Sequence, residues 1–232
     1  MNASEFESRL KVGVGGQELW DLRRDTAVAT AAGLCVVGKA MAGPKSVRGH
    51  DSEGIHAMGS LLQMSGELGL AAGRMLSAQE HYAGAALLRQ VVEIEYLTWT
   101  FKEGHESVNA WLHTTYEQRM KVFSPGQLRR NAKGRFLSQD YQNHCEQGGH
   151  PVPRGISLLG GKEVGSAQLL LVDLITHSWR TWDQVRNWLM KFPDVAKRGI
   201  PKAGVEISLR LAEWGKRDPI YALSVELHPD TA

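Results

Sequence analysis

Leu87-Leu88-Arg89-Gln90-Val91-Val92-Glu93-Ile94-Glu95-Tyr96-Leu97 decides the fold. A helix drawn through this stretch is apolar on nearly every side, the pattern of a helix surrounded by other helices. It predicts the central rod of an all-α bundle, within a helix over 78–102. An isolated charge inside such a rod is costly and a paired one is tolerable. Arg89 and Glu93 are spaced i, i+4 and are therefore expected partners.

Working outward, apolar residues recur at helical spacing through most of the chain. Helices are predicted over 18–41 and 52–76, and Ser77-Ala78-Gln79-Glu80 fits a capping box that opens the rod. A fourth helix is expected over 106–123. Ser124-Pro125 then offers a cap with proline at the first helical position, and a short helix from Ser138 should end at Gly148. Ser166 is read as the cap of a long helix reaching Phe192. Its inward stripe is Leu171, Leu174, Ile175, Trp182, Val185, Leu189 and Phe192, and Pro193 stops it. A last helix is expected over 204–216, and residues 221–227 read as a short strand or a packed tail. This describes one helical domain, with a core over 18–192 and a C-terminal extension over 193–232. No repeat or low-complexity linker interrupts it.

The 232 residues are 42% hydrophobic and 22% charged, with a formal charge of +2. That composition excludes wholesale disorder. A pI near 8.5 is mildly basic, well short of a strong nucleic-acid signature. Cys35 and Cys145 lie far apart and read as core thiols of a reducing compartment. Met1-Asn2-Ala3-Ser4-Glu5-Phe6 carries acid early and has no charged start followed by an apolar run, so no secretory signal is expected. The apolar stretches are interrupted before the roughly 20 residues of a membrane span. The expectation is a cytoplasmic protein with no membrane partner. Gly13-Val14-Gly15-Gly16 follows no convincing strand and is not read as a dinucleotide loop.

Candidate chemistry concentrates in His144-Cys145-Glu146-Gln147-Gly148-Gly149-His150-Pro151-Val152-Pro153-Arg154-Gly155, where a helix must stop and a stiff loop must begin. The glycines permit positive φ or close approach of another backbone, and the prolines hold the chain extended. Tyr141, His144 and Cys145 share a helix face, while Glu146 points the other way. His144, Glu146 and His150 lack a usual zinc spacing. No metal or cofactor is expected, and a metal-dependent hydrolase built on those three is a further alternative. Tyr141, His144 and His150 instead suit proton transfer. If the loop packs against the rod, Arg89 becomes an anion holder and Glu93 a candidate base. In the plain alternative the imidazoles bond backbone carbonyls and pin the loop. Asp173 and His177, with Arg180 one turn on, form a polar strip: an acid orienting a histidine is a catalytic arrangement, but with no nucleophile in view they read as a solvated face. Arg129, Arg130, Lys133 and Arg135, with Phe136 beside them and Arg154 later, are suited to phosphates.

His81-Tyr82-Ala83-Gly84-Ala85-Ala86-Leu87-Leu88-Arg89-Gln90-Val91-Val92-Glu93, combined with the later Tyr141-Gln142-Asn143-His144-Cys145-Glu146-Gln147-Gly148-Gly149-His150-Pro151, resembles a group of uncharacterised bacterial helical proteins distantly allied to the HEPN superfamily. The likeness covers about 52–155. It implies a helical bundle, often dimeric, and a metal-independent ribonuclease of a toxin–antitoxin or antiphage system. The superfamily's motif pairs an arginine with a histidine a few residues on, and Arg74 and His81 stand in that relation. RNA or a nucleotide is the implied ligand and a homodimer the implied assembly. A histidine would move the proton of a ribose hydroxyl or of the leaving oxygen, and an arginine would stabilise the phosphate. A noncatalytic helical module that binds a protein partner is the alternative of a different class.

Overall fold

The computed structural model describes residues 3–43, 52–161, 164–192 and 202–227. All the regular structure in them is helical, as an all-α bundle requires. The helices are α1 (Ala3–Gly13), α2 (Gln17–Ala42), α3 (Ser52–Ser77), α4 (His81–Glu103), α5 (Val108–Leu112), α6 (Tyr116–Val122), α7 (Pro125–Asn131) and α8 (Ser138–His144). A π turn (Cys145–Gly149) and a 3-10 segment (Pro153–Gly161) lead to α9 (Val164–Leu189), α10 (Lys202–Arg217) and α11 (Pro219–Leu227).

Four long helices, α2, α3, α4 and α9, build the core. Small residues let α2 and α3 touch backbone to backbone: a Cβ on Gly38 would stand 2.5 Å from the Gly59 carbonyl oxygen, and one on Gly66 2.6 Å from that of Ala31. Gly38 meets Gly59, Cys35 meets Gly66 and Val28 meets Gly73, so the two helices run antiparallel. Leu88, Val91, Val92 and Tyr96 of α4 are buried. The inward stripe of α9 is buried through Leu189, with Phe192 partly so. Along α4 and α9, Glu95 meets His177 and Thr98 meets Gln184, a parallel pairing.

A buried ionic knot ties α1, α10 and α11 to this core. Arg23 of α2 donates through Nε (2.7 Å) and Nη2 (2.9 Å) to the Asp218 carboxylate, and also to Gln168 Oε1 (2.5 Å) and the Gly13 carbonyl (2.8 Å). Asp218 further accepts from Trp214 Nε1 and from the backbone N–H groups of Ile220 and Tyr221. By length and composition alone α2 could cross a membrane; here it carries Arg23, fully buried, into that knot.

Three local expectations are corrected. Ser77 does not cap the rod: it ends α3 with its hydroxyl on the Gly73 carbonyl, Gln79 takes φ 63°, and α4 begins at His81 with no side-chain cap. The helix expected over 106–123 is two helices, because Thr115 breaks it. The Thr115 hydroxyl accepts from Gln118 N and the Gln118 side chain accepts from Thr115 N, a complete capping box that starts α6. Residues 221–227 are helical rather than extended. Asp218 caps the first turn of α11 and Pro219 supplies its pre-set φ.

Candidate active site

Glu93 and Glu95 are two residues apart on α4 and so face nearly opposite ways. Glu93 turns to α8. There Tyr141 OH donates to Glu93 Oε1 (3.2 Å) and accepts from Arg89 Nη2 (3.0 Å), while Arg89 pairs with Glu93 at 2.9 Å. The Arg129 guanidinium lies over the Tyr141 ring, 4.4 Å from its centroid. The expected Arg89–Glu93 pair therefore exists, and Tyr141 completes it.

The π turn folds onto the same rod. A Cβ on Gly148 would stand 2.4 Å from Ala86 N, and one on Gly149 2.5 Å from Arg89 Cδ. Neither glycine has positive φ. Close approach alone requires them.

Glu95 turns to α9, into the interior. Its carboxylate takes a hydrogen bond from His177 Nδ1, and His177 Nε2 is 3.2 Å from Asp173 Oδ1. The solvated strip expected for Asp173 and His177 is thus wrong for the histidine, which is 2% exposed. Burial alone would push His177 down, but the two carboxylates outweigh it and hold its pKa up at about 10. With both nitrogens donating, the ring is an imidazolium. Burial would push Asp173 up, but His144, His177 and Arg180 outweigh it and hold it at about 2.

His144 joins this second group. Its ring is 3% exposed and stands edge-on to that of His177, with centroids 5.1 Å apart. Nδ1 lies 3.5 Å from Asp173 Oδ2 and Nε2 lies 3.6 Å from Asp140 Oδ1; Nε2 has no hydrogen-bond partner. Nearby, Gln184 Oε1 accepts from Thr98 Oγ1 at 2.6 Å while its Nε2 has no partner. The Tyr96 hydroxyl, also buried and unpartnered, is pushed up in pKa by burial first and then by Asp140 and Glu95.

Glu95, Asp140, Asp173 and His177 line a cavity of about 1010 Å³. Lys102, Arg135, Arg154 and Arg180 bring positive charge to its walls, and Trp99 and Trp179 bring aromatic faces.

The remaining sequence candidates scatter. His150 is exposed, beyond the π turn. Glu146 pairs with Arg154 at 3.1 Å, so His144, Glu146 and His150 do not assemble. The basic run divides: Arg129 and Arg130 line a small pocket with Phe136 and Leu137, Lys133 is exposed, and Arg135 lines the large cavity. Arg74 is exposed near the end of α3, whereas His81 is buried at the start of α4, where burial lowers its pKa; neither lines the cavity.

Sequence reasoning missed Glu95, Asp140 and Gln184. One signal was available: Asp140-Tyr141-Gln142-Asn143-His144 and Asp173-Leu174-Ile175-Thr176-His177 repeat the same Asp-to-His spacing, and each puts both groups on one helix face. Set against known proteins, the chain matches no family model, no curated protein and no solved structure.

Proposed function

We propose that this protein binds RNA or a nucleotide in the α4–α8–α9 cavity and cleaves a phosphoester bond there. One observation carries the reading: Arg135, Arg154 and Arg180 line the same cavity as the Glu95–His177–Asp173 chain of contacts. Guanidinium groups suit the phosphate oxygens, and Trp99 and Trp179 suit a base. His177, fixed as a cation between two carboxylates, serves electrostatic stabilisation of the charge that develops in the transition state. His144, buried behind Asp140 and outside the cavity lining, has a ring nitrogen without a partner, so a proton it takes or gives would pass through Asp140, which does line the cavity. The reading keeps the ligand class implied by the HEPN resemblance and moves the chemistry away from Arg74 and His81.

The test uses the full chain with a nucleoside monophosphate and with a short single-stranded RNA, measuring affinity and cleavage. Arg180→Ala should weaken binding about tenfold, the loss of one charged hydrogen bond. His144→Gln should abolish cleavage and leave binding intact. Binding without cleavage in the wild type would favour the noncatalytic module, and absence of binding would overturn the reading.

A further inference from the structure

We propose that Asp140, His144 and His177 form a binding site for one divalent transition-metal ion, of which Zn²⁺ is the type. An ion bound there displaces the proton from His177 Nε2, so the loaded site and the imidazolium described above are alternative states of one cluster; the inference also departs from the metal-independent chemistry that the family resemblance implies.

The donor set carries the argument. One carboxylate oxygen of Asp140 and one ring nitrogen from each histidine lie within 4.8 Å of one another. A tetrahedral ion with bonds of roughly 2.0–2.2 Å needs ligand atoms roughly 3.4 Å apart, so modest side-chain rotation closes the site. Two imidazoles and a carboxylate are a donor set for zinc, iron or nickel rather than for the hard, all-oxygen ions. The His144 Nε2 atom is the independent sign of a missing ligand. It sits on a residue 3% exposed, beside Asp140, with no hydrogen-bond partner. A buried nitrogen left unsatisfied costs stability unless something occupies the space before it.

The surroundings match what a bound ion requires. Metal-ligating histidines usually give their other ring N–H to a carboxylate, which fixes the ring and raises its basicity. Both histidines have that arrangement: Glu95 holds Nδ1 of His177, and Asp173 Oδ2 stands 3.5 Å from Nδ1 of His144. Asp173 Oδ1, 3.2 Å from His177 Nε2, is within reach as a fourth donor. Three carboxylates, Glu95, Asp140 and Asp173, converge on the two imidazoles, and a divalent cation would take the place of the proton that His177 carries between Glu95 and Asp173. Asp140, Asp173 and His177 face the 1010 Å³ cavity, which supplies a route for entry and an open coordination position.

The test titrates Zn²⁺, and Co²⁺ as a spectroscopic substitute, into chelator-stripped full-length protein with no nucleotide or RNA present. The expected result is one ion per chain by elemental analysis, an upward shift in thermal midpoint, and the visible absorption of tetrahedral Co²⁺. Asp140→Asn changes a half-exposed residue and should keep the fold; it should weaken Zn²⁺ binding at least tenfold. Glu95→Gln, one shell out, should weaken it 10- to 100-fold. A wild type that binds no ion, or an Asp140→Asn variant that binds as tightly as wild type, overturns the proposal. Either result leaves the nucleotide-binding measurement untouched.

Discussion

The chain buries two ionic clusters and treats them oppositely. In the Arg23–Asp218 knot both side chains are fully buried and each is engaged several times over, the carboxylate by a bidentate guanidinium, an indole and two backbone N–H groups. In the Glu95–His177–Asp173–His144 cluster the charges are paired, yet His144 Nε2 and Gln184 Nε2 lack partners and the group opens to a large cavity. A buried polar network that closes on itself rigidifies a fold. One left open stores unmet valence beside space for a ligand. The first arrangement belongs to architecture and the second to chemistry.

The largest expected effect is at the knot. Arg23→Met should destabilise the protein by about 3–5 kcal/mol in urea unfolding, because Asp218 is left charged and buried. Replacing both partners, Arg23→Met with Asp218→Leu, should recover part of that loss. A cost under about 1 kcal/mol for Arg23→Met would erase the contrast. At the open cluster, His144→Leu should fall within about 1 kcal/mol of wild type or exceed it, since the ring has an unsatisfied nitrogen to lose.

Intermediate effects are expected where the π turn meets α4. Gly148→Ala drives a methyl group into the Ala86 backbone and should cost about 1–3 kcal/mol. Little or no change in the urea midpoint would contradict the tight seating of the turn.

The folded pKa of His177, at about 10, lies above its ordinary 6.5, so its stabilising contribution is full below 6.5 and is lost as pH rises to 10. In chelated protein the urea midpoint should fall across that window, and His177→Gln should flatten the fall. An unchanged slope would show that the imidazolium is not held as described. A small effect is also expected at the outward pair on α4: Arg89→Met should cost no more than about 1 kcal/mol, because Arg89 and Glu93 are partly exposed and screened.

Helical periodicity made the bundle legible, and the inward stripe of α9 was read almost residue for residue. The misread boundaries lie where a polar side chain chooses between caps. Thr115-x-x-Gln118 was a readable capping box inside a segment read as one helix, and Asp218-Pro219 a readable helix start hidden by the apolar 221–227. The site was half legible. His144 was singled out because it borders a Gly/Pro loop, whereas Tyr141, Arg89 and Glu93, singled out with it, do bond one another but lie outside the cavity lining. Glu95 carries no local mark separating it from Glu93. Only the arrival of α9 on one side of the rod and α8 on the other gives the two glutamates different partners. His150, prominent in the sequence, ends up exposed beyond a turn whose glycines serve packing.

The most direct measurement is an imidazole ¹H–¹⁵N correlation spectrum recorded as a nucleoside monophosphate is added to the full chain. If the open cluster is where ligand meets protein, the His144 and His177 signals move while those of His81 and His150 stay. Stationary His144 and His177 signals alongside a shifting His150 would contradict it.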